Sequence, residues 1–238
     1  MISVLNIETS SSLCSVCLSR GSEEIAYRES SLPNAHSLVL AEMIQEIITH
    51  NKPGLSAVAV SIGPGSYTGL RIGLSTAKGL ACRLGIPLIA VPTLKIIASG
   101  YLSSPSPLIS EAILCPMTDA RRNEVYAAQY DTQLNEILPP CPLILDSPGI
   151  GSFFPESQYF ILGSGTEKAA RLLQGKKFVF VHDNYLSARN MINLSSSMAS
   201  GNEYADTATL APAYLKEFVA IKPRNSVLNK GTQFDKSD

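Results

Sequence analysis

Residues 61–73 read Ser-Ile-Gly-Pro-Gly-Ser-Tyr-Thr-Gly-Leu-Arg-Ile-Gly, and this glycine-rich run limits the folds that are open to the chain. The apolar residues 57–60 before it are typical of a short buried strand, and a helical pattern follows it. A strand, a tight turn and a helix N-terminus in this order suit anions and close backbone contacts. The run matches neither common nucleotide-binding loop. Gly69 is followed by Leu70 and Arg71 rather than by Lys and Ser or Thr, and the glycine spacing is one residue too long for the dinucleotide fingerprint.

Strand and helix patterns divide the chain into two similar halves. Both halves open with a strand, an acidic polar turn and a second strand, which indicates a duplicated unit. We therefore expect an α/β protein with two lobes, each a mixed sheet with helices on its face. The expected lobes are residues 1–103 and 108–218, separated by the proline-containing stretch 103–107 and followed by a mobile polar tail at 219–238.

The periodicity also predicts the individual elements. In the first lobe we expect helices at 36–50, 69–84 and 93–102 and strands at 4–7, 13–18, 25–28, 57–62 and 88–91. In the second lobe we expect strands at 112–117, 124–130, 160–162 and 178–181, with a helix beginning near residue 166.

The charge of the chain argues against a protein that binds nucleic acid alone. Its formal net charge is −1, only 16% of its residues are charged, and no basic patch is evident in the sequence. Any contact with RNA is therefore expected to be shared with another subunit. The N-terminus lacks a basic region and no apolar run approaches ~20 residues, which favours a cytoplasmic protein.

The cysteines favour a reducing compartment rather than a metal site. There are five, an odd number, and most lie in apolar stretches. Cys14 and Cys17 form a C-x-x-C pair, but residues three apart in a strand point to opposite faces. We expect both to be buried core residues rather than zinc ligands or a redox pair.

The polar turn at residues 8–12 is a candidate phosphate-binding turn. In actin-like nucleotide-binding domains a carboxylate at the end of the first strand holds a metal-bound water, and the turn after it wraps a phosphate. The spacing alone leaves a solvated hairpin turn as the other interpretation. The phosphate-loop candidates are Glu8, Thr9, Ser10 and Ser11.

Residues 7–10 (Ile-Glu-Thr-Ser), His36, the run 63–73 and the segment 119–126 follow one another in a specific order and spacing. Together they resemble the bacterial TsaB (YeaZ) family, whose members take part in making threonylcarbamoyladenosine beside the tRNA anticodon. The resemblance holds in register through the first 125 residues and more loosely beyond them. The glycine-proline motif is highly specific, and the other segments support it by their order and spacing.

This resemblance implies a two-lobed actin-like (ribonuclease H-like) fold, shared with sugar kinases and Hsp70-type ATPases. It also implies a subunit without catalytic residues of its own, which binds and stabilises the related transferase TsaD. The ATPase TsaE would join a larger complex, and tRNA would be bound through that complex. When TsaD is absent, the chain would form a homodimer, and no membrane association is implied.

The resemblance implies no metal site in this chain. TsaD binds its metal through two histidines four residues apart on the first helix, and the matching positions here are His36 and Leu40. One imidazole alone makes a poor metal site, and His50 and His182 offer no ligand spacing with it. We expect His36 to be a helix-start or interface residue.

The two long helices of the first lobe are the expected partner surface. Apolar residues cover most of the first helix, more than the one stripe that an amphipathic surface helix buries. On the second helix Gly69, Gly73 and Ala77 form a ridge of small residues that allows another backbone to approach; close packing within the lobe is the other interpretation. The expected interface residues are His36, Leu40, Met43, Ile44, Ile47, Tyr67, Thr68, Gly69, Arg71, Gly73 and Ala77.

Two enzymatic functions are the alternatives to this interpretation. An actin-like kinase or ATPase would use Glu8 to position Mg²⁺ and residues 9–12 to hold ATP or ADP. The turn at 119–124 has two arginines, two acids and no glycine, which favours ion pairs across a hairpin over a second phosphate loop. A protease is disfavoured, because Ser66 is not in a G-x-S-x-G elbow and no H-E-x-x-H motif occurs.

Overall fold

The computed structural model describes residues 1–33, 35–52, 54–105, 112–155 and 157–216. The expected tail at 219–238 and part of the expected boundary at 103–107 lie outside the described residues. The division of the chain into 1–103 and 108–218 stays a prediction. Within the described part, none of the helices combines the length and the apolar composition needed to cross a lipid bilayer.

Five strands form the first sheet: β1 (Ser3–Glu8), β2 (Cys14–Arg20), β3 (Glu23–Ser30), β4 (Ala57–Ser61) and β5 (Leu88–Val91). Their order is β3-β2-β1-β4-β5. The first three are antiparallel neighbours, whereas β4 runs parallel to β1 and β5 parallel to β4. β1 and β4 are buried along their whole length, as their apolar sequences require of strands that are covered on both faces.

Three helices accompany this sheet: α1 (His36–Asn51), α2 (Tyr67–Leu84) and α3 (Thr93–Leu102). The first two cover one face of the sheet, where their apolar side chains form one core cluster with β1, β2 and β4. Gly85 ends α2 in the left-handed conformation, with φ of 65°, which glycine adopts without a steric penalty.

Five strands also form the second sheet: β6 (Ile113–Asp119), β7 (Glu124–Tyr130), β8 (Glu136–Ile144), β9 (Tyr159–Leu162) and β10 (Phe178–Phe180). Their order is β10-β9-β6-β7-β8, which repeats the connectivity of the first sheet strand for strand. The expected duplication is therefore confirmed at the level of topology. The short helices α4 (Ile150–Phe153) and α5 (Thr166–Leu172) lie on the outer side of this sheet.

A third core cluster joins the two sheets. It contains α3, a 3₁₀ helix (Ala188–Met191) and α6 (Ile192–Ser200), packed against apolar side chains from both sheets. The sequence patterns predicted α3 but neither the 3₁₀ helix nor α6. Although α6 follows the last strand of the second sheet, it therefore contacts β1 and β5 of the first sheet.

The strand β8 was also missing from the expected elements, because Pro139, Pro140 and Pro142 interrupt its sequence. Proline cannot donate to a strand ladder and is tolerated mainly in edge strands. β8 pairs only with β7 and forms one edge of its sheet. The prolines are therefore compatible with this position in the sheet, although they hide the strand from pattern analysis.

Residues 205–216, which we call the strap, cross the first lobe after α6. Ala205 forms an isolated bridge with Leu88 at the edge of the sheet. Further along, the Ala213 N–H donates to the Ile62 carbonyl oxygen at 2.7 Å. At the second lobe, Lys216 of the strap pairs with the Glu124 carboxylate of β7.

Candidate functional site

The glycine-rich run packs α2 directly onto the polar turn that follows β1. A Cβ atom at Gly65 would lie 2.4 Å from the Ser10 carbonyl oxygen, and one at Gly69 would lie 2.0 Å from the Thr9 carbonyl oxygen. A Cβ atom at Gly73 would lie 2.1 Å from Thr9 Oγ1. Since real Cβ atoms essentially never come within 3.0 Å of such neighbours, all three positions require glycine. The small-residue ridge thus makes close contacts inside the lobe.

Hydrogen bonds within the lobe also occupy backbone groups of this run. The Ser66 N–H donates to the Ser10 carbonyl oxygen at 2.7 Å. The Ser66 hydroxyl accepts from the Gly69 N–H at 3.2 Å and so caps α2. The Gly63 N–H donates to Thr93 Oγ1 at 3.1 Å. These donors hold the run against its neighbours and are not turned toward an external anion.

The side chains of the candidate phosphate turn are similarly engaged. Glu8 Oε1 accepts from the Ser10 N–H at 2.5 Å and from the Ser10 hydroxyl at 2.6 Å. Thr9 Oγ1 donates to the Gly69 carbonyl oxygen at 2.8 Å. Glu8 and Thr9 are completely buried, whereas Ser11 is half-buried. The turn is therefore a packed structural element, and only its later residues are accessible.

Burial raises the pKa of Glu8 above its ordinary value of 4.5, and the hydrogen bonds from the Ser10 hydroxyl and N–H only partly oppose this. Glu8 Oε2 and Ser61 Oγ each lack a hydrogen-bond partner of good geometry within the described residues. Burial thus disfavours the ionised form of this carboxyl group, which is the form that Mg²⁺ binds.

A cavity of about 680 Å³ lies beside this turn, with walls from both lobes. Eight of its seventeen lining residues are serine or threonine, and Thr118 Oγ1 is buried there without a hydrogen-bond partner in the described structure. Among the described residues that line the cavity none is lysine or arginine, and Asp119 is its one carboxylate. Principal lining residues are Ser10, Ser11, Ser12, His36, Thr118 and Asp119.

His36 is the first residue of α1 and lines this cavity. Its Nε2 lies 2.9 Å from the Ser11 carbonyl oxygen, so this nitrogen donates a hydrogen bond. Leu40, one turn later, is 1% exposed and packs in the core of the lobe. Among the described residues no group of three His, Cys, Asp or Glu side chains is placed to hold a metal ion.

Most of the expected interface residues on α1 and α2 face the interior of the lobe. Their assignment to an interface stays a prediction, but the structure corrects the reason for it, because the sheet of the same chain covers their apolar side chains. The residues that remain exposed or half-exposed are His36, Tyr67, Thr68 and Arg71. The buried ones are Leu40, Met43, Ile44, Ile47, Gly69, Gly73 and Ala77.

Tyr67 and Arg71 form a cluster with Tyr214 of the strap. The two tyrosine rings stack with centroids 5.0 Å apart, and the Arg71 guanidinium lies 4.0 Å from the centroid of the Tyr67 ring. Arg71 Nε donates to the Tyr214 hydroxyl at 2.9 Å. This cluster has no signature in the sequence, since 143 residues separate Arg71 from Tyr214 and no local pattern connects them.

The hairpin between β6 and β7 differs from its expected ion-pair pattern. Asp119 pairs with Lys168 of α5 at 2.8 Å, and Glu124 pairs with Lys216 of the strap. Hydrogen bonds from Lys168 and from a backbone N–H keep the pKa of Asp119 below its usual range, although partial burial opposes this. Neither Arg121 nor Arg122 forms an ion pair with a described residue. The expectation that arginines and acids pair across the hairpin is therefore wrong, because each acid pairs instead with a lysine from a distant part of the chain.

The expectation of core cysteines is confirmed for the C-x-x-C pair. Cys14 and Cys17 are both buried and free. Burial raises the pKa of each thiol to about 12, so neither is a thiolate at neutral pH.

Comparison with known proteins places this architecture in a family. The family model described as "TsaD: tRNA N6-adenosine threonylcarbamoyltransferase" matches residues 30–148, half of the chain. The tRNA threonylcarbamoyladenosine biosynthesis protein TsaB of Escherichia coli (strain K12) is 36% identical over 56% of this chain and 57% of its own length. TsaB of Buchnera aphidicola subsp. Baizongia pistaciae (strain Bp) is 26% identical over 90% of this chain and 98% of its own length.

A solved structure, YeaZ from Pseudomonas aeruginosa, superposes with a TM-score of 0.74 at 23% identity, over 90% of this chain and 100% of that one. This similarity, with the two repeated sheets, confirms the two-lobed actin-like α/β fold. The match to the E. coli relative spans little more than half of that protein. The resemblance to the TsaB (YeaZ) family inferred from the motifs is confirmed by these matches.

Proposed function

This chain belongs to the tRNA N6-adenosine threonylcarbamoyltransferase (TsaD) family, and from that premise we propose that it is a TsaB-type subunit in the synthesis of threonylcarbamoyladenosine in tRNA. The observation that carries the proposal is the match to TsaB proteins, which extends over 90% of the chain in one relative. The chain acts in the cytoplasm, where tRNA is modified.

Within that pathway the chain binds and stabilises TsaD, which transfers the threonylcarbamoyl group. TsaE joins the complex as its ATPase, and tRNA binds to the assembled complex. The engaged turn after β1 supports a non-catalytic role, since Glu8 and Thr9 are buried and their side chains are bonded within the lobe. The position equivalent to a second metal-binding histidine is Leu40, a core residue.

The same turn argues against the alternative, a nucleotide-dependent kinase or ATPase. A Mg²⁺–nucleotide site needs an accessible anionic carboxylate and donors for the phosphates. Here Glu8 is buried, burial disfavours its ionised form, and the described cavity lining contains no lysine or arginine. The residues of the turn and the cavity therefore do not fit a bound Mg²⁺–nucleotide. Calorimetry with ATP and Mg²⁺ tests this: micromolar binding that Glu8→Ala abolishes would establish the alternative.

The outer face of α1 and α2 is the surface that we assign to TsaD, or to a second copy of the chain when TsaD is absent. Leu38 of α1 is 76% exposed, the most exposed leucine in the described structure. Thr68 of α2 is also exposed. An apolar side chain at this exposure is a ready anchor for a partner helix.

Co-purification with TsaD from the same cell tests this assignment. We expect Leu38→Glu to weaken association with TsaD at least tenfold, since a charge would be buried in the contact. Ile144→Glu is a matched control, because Ile144 is 53% exposed on β8 in the other lobe. Equal association of both variants would contradict the surface, and failure of the wild-type chain to restore tRNA modification with TsaD would contradict the function.

A further inference from the structure

Positive charge is concentrated beside the cavity on a surface that includes both lobes. We define the basic rim as the charged side chains on the surface that runs from α2 through the strap to the β6–β7 hairpin and α5. Its six cations exceed the four carboxylates among them by two, although the whole chain has a formal net charge of −1. The cations are Arg71, Arg121, Arg122, Lys168, Arg171 and Lys216.

Hydrogen bonds and ion pairs make the rim continuous. Arg71 of α2 bonds to Tyr214 of the strap at 2.9 Å. Two residues later, Lys216 pairs with Glu124 at the start of β7. Lys168 of α5 donates to the carbonyl oxygen of Glu124 at 2.9 Å. The strap thus joins the basic groups of the first lobe to those of the second.

The carboxylates of the rim are already engaged with donors. Asp119 accepts from Lys168 at 2.8 Å and from the Arg121 N–H at 2.6 Å. Asp146 accepts from Asn123 at 2.7 Å. Glu124 is paired with the strap, and Glu167 lies 3.9 Å from its partner in α5. Three of the four carboxylates are thus paired with cations of the rim, whereas Asp146 is bonded to a neutral amide and keeps its charge. The rim as a whole retains two surplus positive charges.

Arg121 and Arg122 occupy that tip with exposed side chains and no ion pair or side-chain hydrogen bond to any described residue. Their φ angles are 71° and 48°, in the left-handed region that glycine and asparagine prefer. The turn itself does not call for arginine. Arg122 also lines a side cavity of about 270 Å³ together with Lys168 and Arg171.

We propose that the basic rim binds the phosphate backbone of tRNA when the chain is part of its complex. The planar guanidinium is the side chain best suited to phosphate, which it can bind through two parallel hydrogen bonds. Tyr214, which is 43% exposed, adds an aromatic face on which an unstacked base can lie. The proposal rests on the proposed function, which supplies the RNA.

The test measures binding of an unmodified tRNA transcript to the complex of this chain with TsaD. Arg121→Gly/Arg122→Gly removes two charges at positions where the backbone already suits glycine, so folding is preserved. We expect affinity to fall about tenfold at ~0.1 M salt, and the slope of log K against log [salt] to lose about 1.5–2 units in magnitude. Arg121→Lys/Arg122→Lys should keep the slope.

Arg20→Gln/Arg83→Gln is the charge-matched control, because both arginines are exposed in the first lobe outside the rim. Unchanged affinity and slope in the glycine variant, or an equal loss in the control, overturns the rim. Association with TsaD, measured in parallel, separates the two proposals. If the wild-type chain neither associates with TsaD nor supports modification, the proposed function fails; if only the tRNA readout is unmoved, the rim alone fails.

Discussion

Gly73→Ala is the sharpest test of how α2 is held in the first lobe. The new Cβ atom would lie 2.1 Å from Thr9 Oγ1 and 3.2 Å from Thr9 Cβ. Thr9 is completely buried and its hydroxyl donates to the Gly69 carbonyl oxygen at 2.8 Å. The side chain therefore cannot move away without breaking that bond or shifting the turn.

The magnitude follows from three terms. Overpacking a core position costs about 1–3 kcal/mol, and loss of the buried hydrogen bond costs about 1 kcal/mol more. Alanine in a helix regains about 1 kcal/mol over glycine. We expect Gly73→Ala to lower the free energy of unfolding by about 1–3 kcal/mol, with a drop in Tm of roughly 2–4 °C for each kcal/mol.

The same helix provides the control for this measurement. A Cβ atom at Gly79 would have nothing within 4 Å, so Gly79→Ala should stabilise the chain by up to about 1 kcal/mol. Thr9→Ala should recover much of the loss when it is combined with Gly73→Ala, because it removes the closest atom. Urea denaturation of the wild-type chain, Gly73→Ala, Thr9→Ala and the double variant gives the coupling energy. Equal stability of Gly73→Ala and Gly79→Ala would refute the packing argument.

Two further predictions concern titration and thiol reactivity. Since burial raises the pKa of Glu8, native Glu8 keeps its proton at pH values where Glu8 of the unfolded chain has lost it. The free energy of unfolding should therefore decline as the pH rises above the ordinary pKa of 4.5. In urea denaturation, Glu8→Gln should flatten this part of the plot of stability against pH. Among the described cysteines Cys82 alone is exposed, so a thiol reagent at pH 8 should label one site rapidly. Cys82→Ser should remove that rapid phase. Rapid labelling of Cys14 or Cys17 would contradict the buried core.

Regular elements with strong local patterns were predictable from the sequence. β5, β7 and α3 begin and end at the expected residues, because each is an apolar or alternating run with clear polar or proline boundaries. β8 could not be predicted from the sequence, because its prolines are compatible with a strand only where one side of the strand is unpaired. Its position at the edge of the sheet depends on the tertiary fold.

The candidate site was predictable only in part. The glycine-rich run was singled out, but its partners Thr9 and Ser10 are about 60 residues earlier, and spacing cannot reveal such a contact. The wide apolar surface of α1 was attributed to a missing partner. In the structure the buried side chains of α1 form one stripe against the sheet, at Leu40, Met43, Ile44 and Ile47. Leu38 remains exposed.

The return of α6 to the first sheet has a consequence for synthesis on the ribosome. Ile96 and Ile97 of α3 share one core with Met191 and Ile192, nearly a hundred positions downstream. Growing chains typically emerge at about 5–20 residues per second, so the apolar face of α3 stays exposed to solvent on this side for several seconds. Nascent molecules are thus exposed to chaperones and proteases until the 3₁₀ helix and α6 have been synthesised and have packed onto this core.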